Sequence, residues 1–189
     1  MLDYIQGFDD LLLGFIQAHT HTAVLDVVMP VVSGLGNLGI IWIVTALVLI
    51  CFKKHRAAGV TLLVALILCA LIGNLGLKPL IARPRPCWVD PNVVLLIPSP
   101  SDYSFPSGHT FSSFAAATVL FWHSKRMGIC AIVLAALIAF SRLYLFVHYP
   151  TDVLAGIILG IGFGLAAIFL YKSFIKRREK KKGVESGVG

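Results

Sequence analysis

Charged side chains are scarce in this chain. They make up only 13% of its 189 residues, against a hydrophobic share of 58% and a mean hydropathy of +0.88. In soluble domains, roughly a quarter of the residues are charged. A chain so poor in charge, with several long uncharged runs, is typical of a membrane protein. We expect one helical domain spanning residues 1–189.

Lys and Arg are absent from the first 52 positions, so the charged segment that opens a cleavable signal peptide is missing and we expect none. Cysteine is also infrequent, and its spacing fits no metal site. We predict four free thiols, three of them small hydrophobes in or beside apolar runs. They are Cys51, Cys69, Cys87 and Cys130.

The net charge of +7 does not indicate a nucleic-acid partner, because the positive charge is concentrated at one end. Seven of the sixteen Lys and Arg lie between Lys172 and Lys182, directly after an apolar run. A basic run directly after an apolar helix more often marks the cytoplasmic end of a span than a nucleic-acid site. We therefore predict that residues 172–189 form a basic cytoplasmic tail.

Apolar runs divide the chain and predict an all-α, polytopic transmembrane helical bundle. A span needs about 20 residues, and the second, fourth and fifth runs fit directly. The first fits if it extends back to Val24, and the third if it begins in the proline-rich segment before it. The five runs cover residues 38–52, 59–77, 110–122, 127–147 and 153–171.

The N-terminal segment, residues 1–36, is predicted to hold interfacial or membrane-entering helices. Leu2, Ile5, Phe8 and Leu12 recur at helical spacing, which predicts an amphipathic helix on the membrane surface. The next stretch, 24–35, is apolar but interrupted. It fits a second surface helix, the start of the first span or a sixth crossing, so we expect five to six spans.

Positive charge predicts the orientation. With Lys53, Lys54 and Arg56 in the cytoplasm, the turn at Lys125–Arg126 and the basic tail also fall inside. Four cations then lie outside, against the rule, and a functional reason is the natural explanation. They are Lys78, Arg83, Arg85 and Arg142.

Three polar segments carry the candidate chemistry, and all lie at the outer ends of predicted spans. They are Lys78–Pro86, Pro106–His109 and Ser141–Asp152. Together they offer cations, a hydroxyl, a glycine, two histidines and a carboxylate in one layer. A phosphoryl group, with its spread negative charge, is the ligand that such donors favour.

The tetrapeptide Pro106–His109 precedes an apolar helix, with Ser107 as a candidate N-cap and Gly108 allowing close approach to a ligand. A helix N-terminus also favours an anion. By itself, the tetrapeptide is explained as well by a capped helix start.

His148 and Asp152 are four residues apart and share a face if a helix begins at Pro150. A carboxylate that accepts one imidazole N–H makes the other nitrogen a better nucleophile. His109 is then available to protonate a leaving oxygen. A purely structural His–Asp contact would explain the pair taken alone.

These segments resemble the three signature motifs of the type-2 phosphatidic-acid phosphatase superfamily. The family pattern is Lys, six residues, Arg-Pro; then Pro-Ser-Gly-His; then Ser-Arg, five residues, His, three residues, Asp. Every specified position is matched, in order, between residues 78 and 152. The predicted spans favour the membrane branch over the soluble haloperoxidases that share the pattern.

The resemblance implies a phosphohistidine mechanism that needs no metal or other cofactor. His148 would attack phosphorus, Asp152 would hold His148, and His109 would protonate the leaving group. The phosphate ligands implied are Lys78, Arg85, Ser107, Gly108 and Arg142.

Arg83 lies outside the motif, and we interpret it as an interfacial anchor rather than a further ligand. His19, His21, His55 and His123 also match no motif, and we interpret them as interfacial or loop residues. Gly156, Gly160 and Gly164 recur every four residues, which predicts close helix packing.

The implied activity is hydrolysis of a membrane lipid phosphate or pyrophosphate at the extracytoplasmic face of the cell membrane. Bacterial members of this size resemble undecaprenyl-pyrophosphate phosphatases and phosphatidylglycerophosphatase B, which makes undecaprenyl pyrophosphate the leading substrate. The alternatives are phosphatidylglycerophosphate or phosphatidic acid as substrate, a lipid phosphotransferase, and a non-catalytic anion-binding membrane protein. We expect no obligatory protein partner.

Overall fold

The computed structural model describes residues 2–186, whose regular elements are all helices, with no strand among them. The all-α prediction is confirmed for this part of the chain. Met1 and residues 187–189, the outermost positions of the predicted N-terminal segment and basic tail, lie outside it. The helices are α1 (Leu2–His19), α2 (Ala23–Leu35), α3 (Ile40–Cys51), α4 (Arg56–Leu68), α5 (Lys78–Ile81), α6 (Pro86–Val89), α7 (Gly108–His123), α8 (Lys125–Tyr144) and α9 (Pro150–Ser186).

Helix α7 lies at the centre of the fold, packed against α4, α8 and α9. Its alanines are fully enclosed, and the glycines of α9 let the two backbones approach. A Cβ at Gly160 would lie 2.5 Å from the Phe111 carbonyl oxygen, and one at Gly164 would lie 2.7 Å from the Thr118 Cβ. The glycine repeat therefore serves the close helix packing predicted from its spacing.

Within residues 2–186, three helical stretches are long and apolar enough to cross a membrane. They are Arg56–Val89, which runs from α4 to α6, Lys125–Tyr144 and Pro150–Lys180. A fourth arises if Ala23–Leu35 and Asn37–Cys51, bent by 45°, form one broken span. Helix α7, with 16 residues, is shorter than these. The outward faces of α2 and α3 are apolar, as lipid contact requires. The count of five to six spans stays a prediction.

The break between α2 and α3 is a short non-helical kink. Leu38 and Gly39 both have positive φ angles, of 52° and 69°. A left-handed backbone at two successive residues cannot continue a right-handed helix. The kink turns Asn37 towards the start of α7, where it meets His109.

A π-helical segment, Cys69–Leu77, joins α4 to α5 and delivers Lys78 to the same end of the bundle. Wider turns of this kind occur often at functional sites. Ala82, with a φ of 48°, then ends α5 and redirects the chain to Arg83 and Arg85. The proline-rich loop from residue 90 to 107 covers this end.

Helix α1 packs on α8 and α9 with an unexpected inner face. Leu13 and Ile16 are buried, but Asp9 is also fully buried, whereas Phe8 and Phe15 are half exposed. Gln17 donates hydrogen bonds to the carbonyls at the end of α8. A helix forms in the predicted segment. Its amphipathic character and its location at the membrane surface stay predictions.

Candidate active site

Cations from the predicted segments line one cavity of about 420 Å³. Lys78 begins α5, Arg85 precedes α6, and Arg142 lies in the last turn of α8. His109, in the first turn of α7, lines the same cavity. Three cations around one space form a site for an anion.

An anion from the chain itself already occupies part of this site. The Asp102 carboxylate forms ion pairs with the Lys78 ammonium and, at 2.6 Å, with Arg85 Nη2. Arg85 Nε also donates to the Asp102 carbonyl at 2.6 Å. Partial burial raises the pKa of the Asp102 carboxyl, but Lys78 and Arg85 outweigh it and lower that pKa to about 2. The carboxylate is therefore ionised at neutral pH.

Arg142 has an unused donor. Its side chain is buried and its Nη1 donates to the Ser33 hydroxyl. Within residues 2–186, no atom accepts a hydrogen bond from Arg142 Nε. Buried donors are almost always paired, and a guanidinium N–H left open beside a cationic cavity is a position for a ligand oxygen.

His148 lies directly behind Arg85, 1% exposed. Its Nε2 is 3.1 Å from Arg85 Nη1, which also donates to the Val147 carbonyl at 2.6 Å. Burial holds the pKa of His148 well below its ordinary value, and the charges of Arg85 and Arg142 act in the same direction. The imidazole is therefore neutral at pH 7, as an attacking nitrogen must be.

Asp152 holds the other side of the His148 ring, with help from a serine. The Asp152 Oδ2 lies 3.6 Å from His148 Nδ1, which is too long for a good hydrogen bond. The Ser104 hydroxyl lies between them, 3.3 Å from Nδ1 and donating to Oδ2 at 2.5 Å. The predicted pairing on one face is present, with Ser104 as an intermediate that the motif did not include.

His109 is fixed from the kink between α2 and α3. Its Nε2 lies 2.8 Å from the Asn37 Oδ1. The backbone of Gly36 touches the ring, because a Cβ there would lie 2.7 Å from the His109 Cδ2. The N-terminal part of the chain therefore completes the site.

Ser107 and Gly108 adjoin the cation cluster but do not line the 420 Å³ cavity. Ser107 occupies the N-cap position of α7, as predicted, but its side chain forms no capping bond and accepts one from the Thr110 hydroxyl at 2.9 Å. A Cβ at Gly108 would lie 3.0 Å from the Asn74 Oδ1 and 3.7 Å from the Lys78 Nζ. The absence of a side chain at Gly108 therefore makes room for Asn74 beside the Lys78 ammonium.

The interpretation of Arg83 as an interfacial anchor is wrong. Its guanidinium forms ion pairs with Asp152 at 2.8 Å and with Asp9 at 2.7 Å, and lies 4.0 Å from the centroid of the Tyr149 ring. The sequence around Arg83 did not reveal these ion pairs, because both aspartates come from helices distant in the chain.

A second, mainly apolar cavity of about 570 Å³ adjoins the first and shares Lys78, Asp102 and His109 with it. It opens between α3 and α4 and is lined by aliphatic side chains, among them Ile43, Leu63, Leu66 and Ile67. Its apolar walls suit a hydrocarbon chain.

Other groups are less informative. His55 and His123 contact each other at 2.8 Å at the opposite end of α4 and α7 from the site. The cysteines are all free, as predicted. Within the described residues, no group of three or more His, Cys, Asp or Glu is arranged to hold a metal ion.

Fold and site together define a helical protein of membrane character. In it, a buried histidine and a buried carboxylate lie behind an anion-binding site lined by Lys and Arg. Residues 58–177 match the PAP2 superfamily, and the chain belongs to that family. The resemblance drawn from the three motifs is confirmed.

Named relatives come from several lineages. An undecaprenyl-diphosphatase of Sulfolobus acidocaldarius is 44% identical over 123 residues, covering 64% of this chain and 58% of that protein. The crystal structure of Aquifex aeolicus LpxE has a TM-score of 0.75 and 30% identity, covering 85% of this chain and 94% of that one. A phosphatidylglycerolphosphate phosphatase from Bacillus subtilis has a TM-score of 0.72 and 27% identity, covering 92% and 87%.

Proposed function

We propose that the protein is an integral membrane lipid phosphatase that forms a phosphohistidine at His148. The observation that carries this proposal is the Asp102 carboxylate bound by Lys78 and by Arg85, whose Nη1 lies 3.1 Å from His148 Nε2. A phosphoryl group requires the same donors as that carboxylate. The open Nε of Arg142 offers one more.

In the first step, the phosphoryl group replaces the Asp102 carboxylate on Lys78 and Arg85. Movement of these groups exposes His148 Nε2, which attacks phosphorus, so that a P–N bond forms as the P–O bond to the lipid breaks. The proton on His148 Nδ1 stays in place, held by Ser104 and Asp152. The cations stabilise the charge on the phosphoryl oxygens.

His109 supplies the proton that the leaving oxygen needs. In the second step, the same imidazole takes a proton from water as the water oxygen attacks phosphorus. The P–N bond then breaks, and inorganic phosphate and free His148 result. Asn37 orients the His109 ring for both transfers.

The adjoining apolar cavity supports a lipid as the leaving group. It meets the cationic cavity at His109, so a hydrocarbon chain in it would bring the leaving oxygen next to the proton donor. Undecaprenyl pyrophosphate is our leading substrate, because the Sulfolobus acidocaldarius relative is named as an undecaprenyl-diphosphatase. Phosphatidylglycerol phosphate is the second candidate, supported by the Bacillus subtilis structure.

We further propose a single-domain, multi-pass protein with five crossings and the site at the extracytoplasmic face. The bent α2–α3 pair and α7 would supply the two crossings beyond the three long apolar helices. The basic turns Lys53–Arg56 and Lys125–Arg126 then fall in the cytoplasm, together with the basic end of α9.

The test measures inorganic phosphate released by purified protein in detergent. The panel contains undecaprenyl pyrophosphate, phosphatidic acid and phosphatidylglycerol phosphate. We expect release from at least one, and a loss of more than about 1,000-fold in His148→Ala, because the nucleophile is removed.

Four results would overturn or redirect the proposal. No release from any of the three lipids contradicts a lipid phosphatase. Full activity in His148→Ala contradicts the nucleophile, and tolerance of both His109→Ala and His148→Ala favours an anion-binding protein. A phosphorylated acceptor in place of free phosphate shows a phosphotransferase. Size-exclusion profiles matching the wild type establish that the variants are folded.

A further inference from the structure

Helix α1 reaches the active site through one partly buried arginine, Arg83. Arg83 Nη2 donates to Asp9 Oδ2 at 2.7 Å, and its Nη1 donates to Asp152 Oδ1 at 2.8 Å. Asp9 and Asp152 are both fully buried. Arg83 is therefore a bridge between α1 and the carboxylate that holds His148.

The bridge has further partners around both carboxylates and the guanidinium. Asp9 also accepts from the Thr151 amide at 2.8 Å and from its hydroxyl at 2.6 Å, in the first turn of α9. The Tyr149 ring covers the Arg83 guanidinium. Buried charges are tolerated when they are paired and hydrogen-bonded, and this set meets that condition.

The two oxygens of Asp152 have separate partners. Oδ2 faces His148 and accepts from the Ser104 hydroxyl and from the Tyr149 amide at 2.9 Å. Oδ1 faces away and accepts from Arg83. Arg83 thus sets the rotation of the carboxylate that orients the imidazole, without contacting the imidazole itself.

We propose that Asp9 and Arg83 are positioning residues for the His148 nucleophile, acting in series on Asp152. This inference rests on the proposed role of His148. Arg83 fixes the carboxylate, and Asp9 shares the charge of Arg83. Asp152 consequently keeps the negative charge that holds the proton on His148 Nδ1 and leaves Nε2 free to attack.

Each member has a distinct predicted effect. In Asp9→Asn, Arg83 keeps Asp152 as its one carboxylate partner. It therefore weakens the attraction of the Asp152 carboxylate for the His148 imidazole. In Arg83→Gln, the Asp152 carboxylate loses its anchor and faces Asp9 without an intervening cation. Arg83→Lys keeps the charge but loses the planar fork that spans two carboxylates, so we expect it to restore only part of the activity.

The experiment measures kcat and KM on the most active lipid of the panel. Asp9→Asn is expected to lower kcat about 10- to 100-fold with KM within about twofold, since outer partners of a catalytic histidine have effects of this size. Arg83→Gln is expected to lose more. Gln17→Ala is the matched control, because Gln17 anchors the same helix to Leu143 and Tyr144, away from Asp152.

A double variant tests whether the two residues act in series. If Asp9 works through Arg83, adding Asp9→Asn to Arg83→Gln lowers kcat by no more than about twofold further. Multiplying losses would instead show two independent effects. Equal losses in Gln17→Ala and Asp9→Asn would show that α1 contributes only by docking. Either result overturns the proposal.

The tautomer of His148 provides a readout that does not depend on activity. Nitrogen-15 shifts of labelled histidine, assigned by the signals missing in His148→Ala, report which ring nitrogen carries the proton. We expect a proton on Nδ1 in the wild type and in Gln17→Ala, and a mixture of tautomers in Asp9→Asn. An unchanged tautomer in Asp9→Asn and Arg83→Gln refutes the inference. If the wild type releases no phosphate, the tautomer result still decides the positioning role.

Discussion

At the scale of single residues, Asp102 is the most informative contact of the site. It comes from a loop that matches no motif, yet its carboxylate is bound by two of the predicted phosphate ligands. An aspartate is a smaller anion than a phosphoryl group and carries less charge. The same donors can therefore exchange it for a substrate that makes more and stronger bonds.

Replacing Asp102 by asparagine should make phosphate bind more tightly. The variant removes the competing anion from Lys78 and Arg85, and a charge-assisted hydrogen bond of about 1.5–3 kcal/mol corresponds to roughly tenfold or more in affinity. Calorimetric titration with inorganic phosphate measures this. Asp90→Asn, in the same loop but outside the cluster, is the control and should leave the affinity unchanged. Weaker binding in Asp102→Asn would show that the carboxylate organises the cations instead.

At the scale of elements, interruptions of regular helix build the site. The kink after α2 brings Asn37 to His109, and the π-helical segment before α5 brings Lys78 to the cavity. Close contact between α7 and α9 holds Ser107 and His109 on one side and Asp152 on the other. That contact depends on glycine, because at Gly160 the nearest atom is a backbone oxygen that cannot rotate away.

Gly160→Ala should therefore destabilise the bundle. Its Cβ would lie 2.5 Å from the Phe111 carbonyl oxygen and 2.9 Å from the Phe114 Cβ, so the helices must separate. Overpacking of this kind costs about 1–3 kcal/mol, which lowers the thermal unfolding midpoint in detergent.

Gly162→Ala is the matched control on the same helix. A Cβ there has no atom of the described residues within 4 Å. Alanine favours helix over glycine, so its midpoint should stay equal or rise slightly. An unchanged midpoint in both variants would contradict tight contact between α7 and α9.

At the scale of the whole molecule, the basic residues divide into two groups at opposite ends of the bundle. Lys78, Arg85 and Arg142 gather around one cavity. Lys53, Lys54 and Lys125 lie at the other end, where His55 meets His123. Charge at the cavity end serves the site, and charge at the other end fits the cytoplasmic bias of membrane proteins.

This arrangement predicts which end is reached from outside the cell. In a cysteine-free background, Asn92→Cys in the loop over the site should react with a membrane-impermeant maleimide in intact cells. Lys54→Cys, an exposed position at the other end, should react only after the membrane is permeabilised. The reverse pattern would place the site in the cytoplasm, and reaction of both in intact cells would contradict a spanning topology.

Much of this protein is determined by local sequence. Long uncharged runs specify membrane-type helices whatever packs around them, because their backbone must bond internally in lipid. The order and spacing of Lys78, Arg85, His109, His148 and Asp152 indicated the family, and the structure gathers these residues at one end of the bundle. Gly160 and its neighbours indicated close packing by their four-residue period.

Only the tertiary structure decided the partners that complete the site. Asp9 lies on α1, Asn37 in the kink after α2, and Asp102 and Ser104 in the loop over the site, at spacings that mark no face and match no motif. Their roles arise from contacts made across the fold, such as the Arg83 bridge between α1 and α9. A buried charge needs an opposite charge nearby. When the two partners lie on different helices, their separation in the sequence does not indicate their distance in space.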